Sequence, residues 1–370
     1  MAVRHYKMKL KTLSPVHIGS GETIGKTEAI IDSVKKTVYI PDTVKLFGGL
    51  TELGLAEEYE IRIMGGTGFD LLKFLQNNRV KPETWLSWVK YSYPLGSMEP
   101  KGMNISACVK DAYSMPYIPG SSIKGAIRTA IVAAELMNDP ALTIDDKLGK
   151  PYNIKEKLKT MERLEAETEV ELFHTIKFEE HYEQKIKKSN AVRSVFRGLR
   201  ISDSEPVPTD RITLCQKIDM FPDGGRKKLN VYRECIMPGT ELFFDVTIDD
   251  AVFPYDDERI LAALNWYFDD QSEKFLDYFD ESKRPSAPKG DVLYLGGGTG
   301  FVSKTVAYQI FEDPDKAAKT VQEIMTAKFP DHYHKFDIEK YEVSPHMRKC
   351  TVSGGRLYDQ GLCSIAFEEI

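Results

Sequence analysis

Cysteine is scarce in this chain. The five present, Cys108, Cys215, Cys235, Cys350 and Cys363, never stand in a C-x-x-C spacing. Their scatter and odd number exclude a disulfide framework and a Cys-based zinc site, and fit reduced thiols in a cytoplasmic protein. No apolar run approaches the roughly 20 residues of a membrane-spanning helix, so no membrane partner is expected. The stretch Met1–Lys11 is basic but has no apolar segment behind it, which argues against a signal peptide. An excess of positive charge is also missing: 50 Lys and Arg stand against 56 Asp and Glu, a net charge of −6. A uniformly basic coat is therefore excluded, and any nucleic-acid site must gather its cations locally. With 370 residues, 42% hydrophobic and 29% charged, the chain has the profile of a soluble globular protein long enough for a large core or two domains.

Enzyme signatures are equally sparse. The loop Gly19-Ser20-Gly21-Glu22-Thr23-Ile24-Gly25-Lys26-Thr27 has the composition of a nucleotide-binding P-loop without its spacing. Five residues separate Gly19 from Gly25 and three separate Gly21 from it, where the motif needs four, and extended sequence follows. The cluster Gly296-Gly297-Gly298-Thr299-Gly300 fails the dinucleotide pattern, whose last glycine would fall on Phe301. Neither G-x-S-x-G nor H-E-x-x-H occurs. His332 and His334 form an H-x-H pair with no cysteine nearby and read as a surface pair, so no metal or other cofactor is expected. His17 is the best candidate general acid or base. It would suit metal-independent RNA cleavage by the 2′-hydroxyl; the alternative is a histidine that bonds a phosphate or packs under its loop.

Hydrophobic periodicity sets out the elements. Residues 5–13 alternate as a strand, 28–40 are extended, and 43–95 look helical, with Trp85 and Trp88 as core residues. A helix over about 122–137 and a charged helix near 153–172 follow. Strands are expected at 198–202, 211–219, 229–236 and 240–248, a helix at 257–268 continuing toward 280, and a short strand at 291–295. Helices at about 303–311 and 314–328 and a closing strand at 361–367 complete the chain. Without its insertions, 5–295 runs strand, helix, strand, strand, helix, strand, the order of ferredoxin-like and RNA-recognition folds. The expected class is α+β. An RRM-like domain spans 1–300, with a helical insertion at about 43–115 and a further helical and basic one at about 140–197, and a smaller α+β lobe covers 301–370. Gly-Gly-Thr-Gly-Phe occurs at 65–69 and again at 297–301, as a local solution for entering a helix.

Three segments share the capacity to present bare backbone N–H groups to an anion. The first is the loop with His17, Gly19 and Gly21. The second is Tyr117-Ile118-Pro119-Gly120-Ser121-Ser122-Ile123-Lys124-Gly125-Ala126-Ile127-Arg128, where a serine could cap a helix. Its apolar stripe (Ile123, Ala126, Ile127, Ala130, Ile131, Ala134) leaves Lys124 and Arg128 four apart on the other face, where they repel unless an anion sits opposite. The third is the loop with Gly297, Gly298 and Gly300. Residues 185–200 add six basic side chains and no acid, among them Arg193, Arg197 and Arg200, with Phe196 available for stacking. Together these suggest a track for a phosphate backbone.

The segments SPVHIGSG (14–21), YIPGSSIKGAIR (117–128), YLGGGTGF (294–301) and SPHMRKCTVSGGRLYDQGLCSIAF (344–367) resemble the RAMP superfamily of CRISPR–Cas proteins. Within it they are most similar to the fifth-subunit family of type III-A Csm effectors. The resemblance implies a ferredoxin-like, RRM-like architecture and a place at the 3′ end of the CRISPR RNA (crRNA). There the subunit would cap the backbone filament and be required for trimming the guide to mature length. The implied partners are the crRNA, the neighbouring RAMP backbone subunit, the small helical subunit and host ribonucleases recruited for trimming. Carried over by motif, His17, Gly19 and Gly21 would line the first loop, Ser121, Ser122, Lys124 and Arg128 the basic helix start, and Gly297, Gly298 and Gly300 the glycine-rich loop. Arg193, Arg197 and Arg200 are added on charge alone. No catalytic residue is implied, and the rival reading remains an endoribonuclease cleaving repeat RNA with His17.

Overall fold

Strict alternation along β1 (Val3–Thr12) buries Tyr6, Met8 and Leu10 and turns His5, Lys9 and Lys11 outward. The computed structural model describes residues 3–65, 68–96, 104–139, 142–144, 153–286, 288 and 290–370. Parts of both expected insertions, and Gly66 and Thr67 of the first pentapeptide copy, lie outside the described residues. β1 pairs antiparallel with β10 (Glu241–Asp249) on one side and β14 (Leu362–Glu369) on the other. With β7 (Leu199–Ile201) and β11 (Val292–Tyr294) at the edges, the order is β11-β14-β1-β10-β7. Helices α5 (Gly120–Asn138) and α8 (Asp257–Lys274) cover one face. Ile123, Ile127 and Ile131 of α5 and Ile260 and Leu264 of α8 share a core with Met8, Leu10, Phe244 and Val246. This is the expected ferredoxin-like α+β arrangement with one change of strand. β14, from the chain's end, takes the place beside β1, and the 291–295 strand is displaced to the edge as β11. The 301–370 stretch thus shares its sheet with β1.

A second sheet runs β13-β12-β8-β9-β6-β2, from β13 (Arg356–Asp359), β12 (Arg348–Ser353), β8 (Ile212–Met220), β9 (Arg226–Ile236), β6 (Ile105–Cys108) and β2 (Gly19–Ile24). α6 (Ile154–Phe173) and α9 (Pro314–Lys328) share a second core with it, in which Met161 and Leu164 meet Ile218, Val321, Ile324 and Met325. A third, small sheet, β3 (Ile30–Asp32), β4 (Thr37–Pro41) and β5 (Val89–Pro94), carries α1 (Thr43–Glu52), α2 (Ala56–Met64), α3 (Leu71–Asn77) and α4 (Pro82–Leu86). Trp85 and Trp88 are buried in the core of this module, as expected. Two short helices, α7 (Glu180–Glu183) and α10 (Asp337–Tyr341), complete the set. No described helix is long and apolar enough to cross a membrane.

Two sequence expectations fail locally. Residues 89–94 form a strand, because β5 closes the small sheet against β4 and cross-strand pairing overrides a weak helical pattern. Residues 303–311 form no continuous helix: one turn at Val302–Lys304 is followed by a separate hydrogen-bonded turn closed on the Val306 carbonyl. The Tyr267 hydroxyl lies 2.9 and 2.7 Å from the carbonyls of Val302 and Thr305, groups a helix would need for its own ladder.

Candidate nucleic-acid interface

Two of the three bare-backbone segments meet at His17. The His17 carbonyl accepts a 2.7 Å hydrogen bond from the Gly297 N–H, which ties the loop after β1 to the loop after β11. Only glycine fits this junction. A Cβ on Gly296, whose φ is +77°, would stand 2.1 Å from the His17 carbonyl oxygen, and one on Gly297 would stand 3.0 Å from the imidazole Cδ2. Gly19 presses on the same ring, with a Cβ position 3.1 Å from Nε2. Gly19 and Gly21 lie on β2, an irregular edge strand of the second sheet, with Gly21 at φ +87°. His17 itself is buried. Its Nδ1 lies 2.8 Å from the Glu234 carbonyl, which can only accept, so Nδ1 carries the hydrogen. Burial lowers the pKa of this imidazole and favours the neutral ring. The structure thus places His17 as a strut beneath two glycine loops, the packing position that the sequence left open as the alternative to an acid–base role.

Beyond this junction Gly298 (φ +89°) and Gly300 (φ +103°) edge an open cleft of about 420 Å3. Lys217, Arg233, Lys328 and Lys349 line it, together with Phe301 and the half-exposed Phe329, and among the described residues no carboxylate does. The acid beneath them is the buried Asp219, 2.8 Å from Lys349 and 3.8 Å from Lys217. The Lys217 ammonium has a lowered pKa, first because it is partly buried and then because Lys349 and Arg233 repel it. Several cations converging on one carboxylate leave a positive surplus that an incoming anion would relieve. A Cβ on Gly298 would stand 2.4 Å from Gln360 Oε1 and 3.0 Å from the Arg233 guanidinium, so the bare backbone makes room for both side chains beside the loop.

Sequence reasoning missed these four cations. Lys217 and Lys349 belong to adjacent strands, β8 and β12, in which Lys349 pairs with Asp219. No local pattern shows that pairing of residues 130 positions apart. Each lysine taken alone is an ordinary strand residue.

The helix start at 120–128 is used differently. Pro119 occupies the cap position, and neither Ser121 nor Ser122 caps the helix: the Gly120 N–H donates to Asp203 Oδ1 at 2.9 Å instead. The Lys124 ammonium donates to the Leu199 carbonyl at 2.7 Å, and Arg128 forms an ion pair with Glu169 of α6. The anion opposite this basic pair is thus the protein's own. Arg128 and Gly125 line a separate shallow cleft, with Lys304–Val306 on one wall and Glu162, Glu165 and Glu169 on the other.

The basic run fares likewise. Arg193 is buried and donates to the carbonyls of Ile176, Glu183, Ile186 and Lys187 and to the Glu183 carboxylate. It is a structural clamp and is not available to a ligand. Phe196 is buried against Phe173 and Phe253 and offers no stacking face. Arg197 and Arg200 are exposed, Arg197 bonded to the Val192 carbonyl.

With this geometry in place, comparison with known proteins is informative. A family model described as the RAMP superfamily matches residues 9–303. The chain is 27% identical to the CRISPR system Cms protein Csm5 of Enterococcus italicus over 409 aligned positions, covering all of this chain and 99% of the relative. It is 29% identical to the Csm5 of Streptococcus thermophilus, covering 83% of this chain and 81% of that one. Among solved structures, a chain of the cryo-EM structure of a type III-A Csm–crRNA–target RNA ternary complex superposes with a TM-score of 0.71 at 18% identity, covering 98% of this chain and 100% of that one. The crystal structure of T. onnurineus Csm5 does so at 0.61 and 19%, covering 96% and 99%. These structural likenesses carry the fold, and the family match spans most of the sequence. The chain belongs to the RAMP superfamily.

Proposed function

We propose that this chain is a non-catalytic, RNA-binding subunit of a type III-A Csm effector, and that the cleft beside Gly298 and Gly300 holds the crRNA backbone near its 3′ end. The observation that carries the reading is the cleft itself: four cations, an exposed phenyl ring and bare backbone around one groove, with no carboxylate among the described residues of its lining. Relatives of nearly equal length bear the Csm5 name, and a similar chain occurs in a complex with crRNA. In this reading the subunit caps the guide and is required for its 3′ maturation, while host ribonucleases do the trimming. Its other faces meet the neighbouring RAMP backbone subunit and the small helical subunit. Acidic surface elsewhere discourages indiscriminate binding of nucleic acid.

The test is a titration of guide-length RNA at several salt concentrations, with the chain assembled among its neighbours. Each phosphate contact to single-stranded RNA contributes about −0.7 to the slope of log K against log salt, so Arg233→Ala with Lys328→Ala should flatten it by about 1.4. Unchanged slope and affinity would sink the assignment of the cleft. Guides extended at the 3′ end are expected in complexes carrying the same double substitution. Cleavage of repeat RNA in EDTA by the purified chain, abolished by His17→Ala, would overturn the non-catalytic reading.

A further inference from the structure

Two of the chain's seven histidines, His334 and His346, flank a single carboxylate beside one wall of the cationic cleft, and a third, His332, is stacked on His334. His334 was expected at the surface beside His332. It is buried instead, at 2% exposure, as are His346 and Asp337. His334 Nδ1 lies 2.9 Å from Asp337 Oδ2, and His346 Nδ1 lies 2.5 Å from Asp337 Oδ1. The Ser344 hydroxyl and the His346 N–H also donate to Oδ2, at 2.7 and 3.2 Å, and fix the carboxylate in place. Both imidazoles therefore turn the same type of nitrogen toward one acid, and one donor atom from each of the three residues lies within 4.8 Å of the others.

The rings are held as firmly as the acid. His346 lies stacked against both Phe221 and Tyr341, at 5.7 and 5.4 Å between centroids and within 16° of parallel. His334 packs against Phe329, with His332 stacked at 6.0 Å.

We propose that His334, Asp337 and His346 form a binding site for a divalent transition-metal ion of the zinc class. Two imidazoles and one carboxylate are donors such ions prefer, whereas Mg2+ and Ca2+ favour sets made only of oxygen. At metal–ligand distances of about 2.0–2.2 Å, tetrahedral donors stand roughly 3.4 Å apart. To admit the ion, the nitrogen–carboxylate distances of 2.9 and 2.5 Å would open by less than about 1 Å, and donor atoms as far as 4.8 Å apart would draw together. One dication then takes the Nδ1 lone pair of each neutral imidazole, whose single hydrogen moves to Nε2. The donor set itself carries a single carboxylate charge, with the Lys349 and Lys217 ammoniums of the cleft nearby, and it leaves coordination positions for Ser344 Oγ or water.

The site would fasten the segment after α9 to the start of β12. Phe329 and His332 on one side of it, and Pro345, Met347 and Lys349 on the other, all line the cleft, so the ion would set the shape of that wall. The assignment stands on the side-chain geometry and needs no assumption about RNA.

Chelator-treated chain titrated with Co2+ tests this directly. A single saturable equivalent with intense visible ligand-field bands is expected, displaced by one equivalent of Zn2+, with a Tm raised by Zn2+ and lowered again by EDTA. The bands and the shift should vanish in His334→Gln and in His346→Gln and persist in His332→Gln. Melting curves in EDTA establish that each variant is folded, and the wild-type titration decides the question without them. Absence of saturable Co2+ binding by the wild type overturns the proposal and leaves a hydrogen-bonded His–Asp–His cluster. Binding that survives both ligand substitutions, or that is lost in His332→Gln alone, overturns it equally.

Discussion

The junction at His17 makes a quantitative demand on Gly296. An alanine there must adopt φ +77°, a left-handed conformation that costs an L residue roughly 1–2 kcal/mol. Its Cβ would also stand 2.1 Å from the His17 carbonyl oxygen, a backbone atom that no rotamer change can move, where real Cβ atoms keep at least 3.0 Å. Relief requires the two loops to separate, which breaks the 2.7 Å bond from the Gly297 N–H to that oxygen and adds about 1–3 kcal/mol for the unsatisfied groups. Gly296→Ala should therefore destabilise by roughly 2–5 kcal/mol. Gly239 provides the control. Its φ is +81°, but nothing lies within 4 Å of its Cβ position, so Gly239→Ala should cost only the roughly 1–2 kcal/mol of conformational strain. Urea unfolding of the two variants, compared at unchanged m-value, measures the difference. Equal costs would refute the argument that the two glycine loops are pressed together, and the cleft built on that junction would lose its foundation.

Two other outcomes follow from side chains already placed. His17 is buried with a lowered pKa, so the folded state resists the protonation that the unfolded chain accepts below about 6.5. Above that pH both states are neutral and the residue contributes no pH dependence. As pH falls through 6.5 the wild type should lose stability relative to His17→Gln by up to about 1.4 kcal/mol per pH unit, levelling off below the folded-state pKa; parallel stability–pH curves for the two proteins would contradict this. Arg193→Ala should destabilise by about 2–4 kcal/mol, because it leaves four carbonyls without the donors that the guanidinium supplies, while leaving the salt dependence of RNA binding unchanged. A flattened salt slope with normal stability would restore Arg193 as an RNA contact.

What could be read from the sequence was what repeats within a few residues. Ile123, Ile127 and Ile131 announce one buried face of α5, and all three are buried. The alternation of β1 and β10 is legible in the same way, and with α5 and α8 it gives the ferredoxin-like order. What depends on distant pairing was not legible. Nothing near Leu362–Glu369 indicates that it lies beside β1, and nothing near Gly120 indicates that Asp203 supplies its first acceptor. Local charge counting is blind to orientation for the same reason. The run at 185–200 reads as one basic stripe, yet Arg193 turns inward to bind carbonyls and Arg197 and Arg200 point to solvent.

The placement of charge also explains how a chain with a net charge of −6 can still offer a polyanion a site. On the open face of the five-stranded sheet, where an RNA-recognition fold stacks bases, Lys7 and Lys9 are matched across strands by Asp245 and Glu241 at 3.0 and 2.7 Å. At the start of α5, Arg128 is matched by Glu169. These cations are spoken for, and surface pairs of this kind contribute little to stability, so their main effect is to leave those faces without a net field. The cleft differs because its cations come from four separate elements: β8, β9, the end of α9 and β12. The buried Asp219 sits between Lys217 and Lys349 and balances just one of their two charges. A local surplus inside an acidic molecule is a stronger determinant of where a phosphate backbone can rest than any excess spread along the chain.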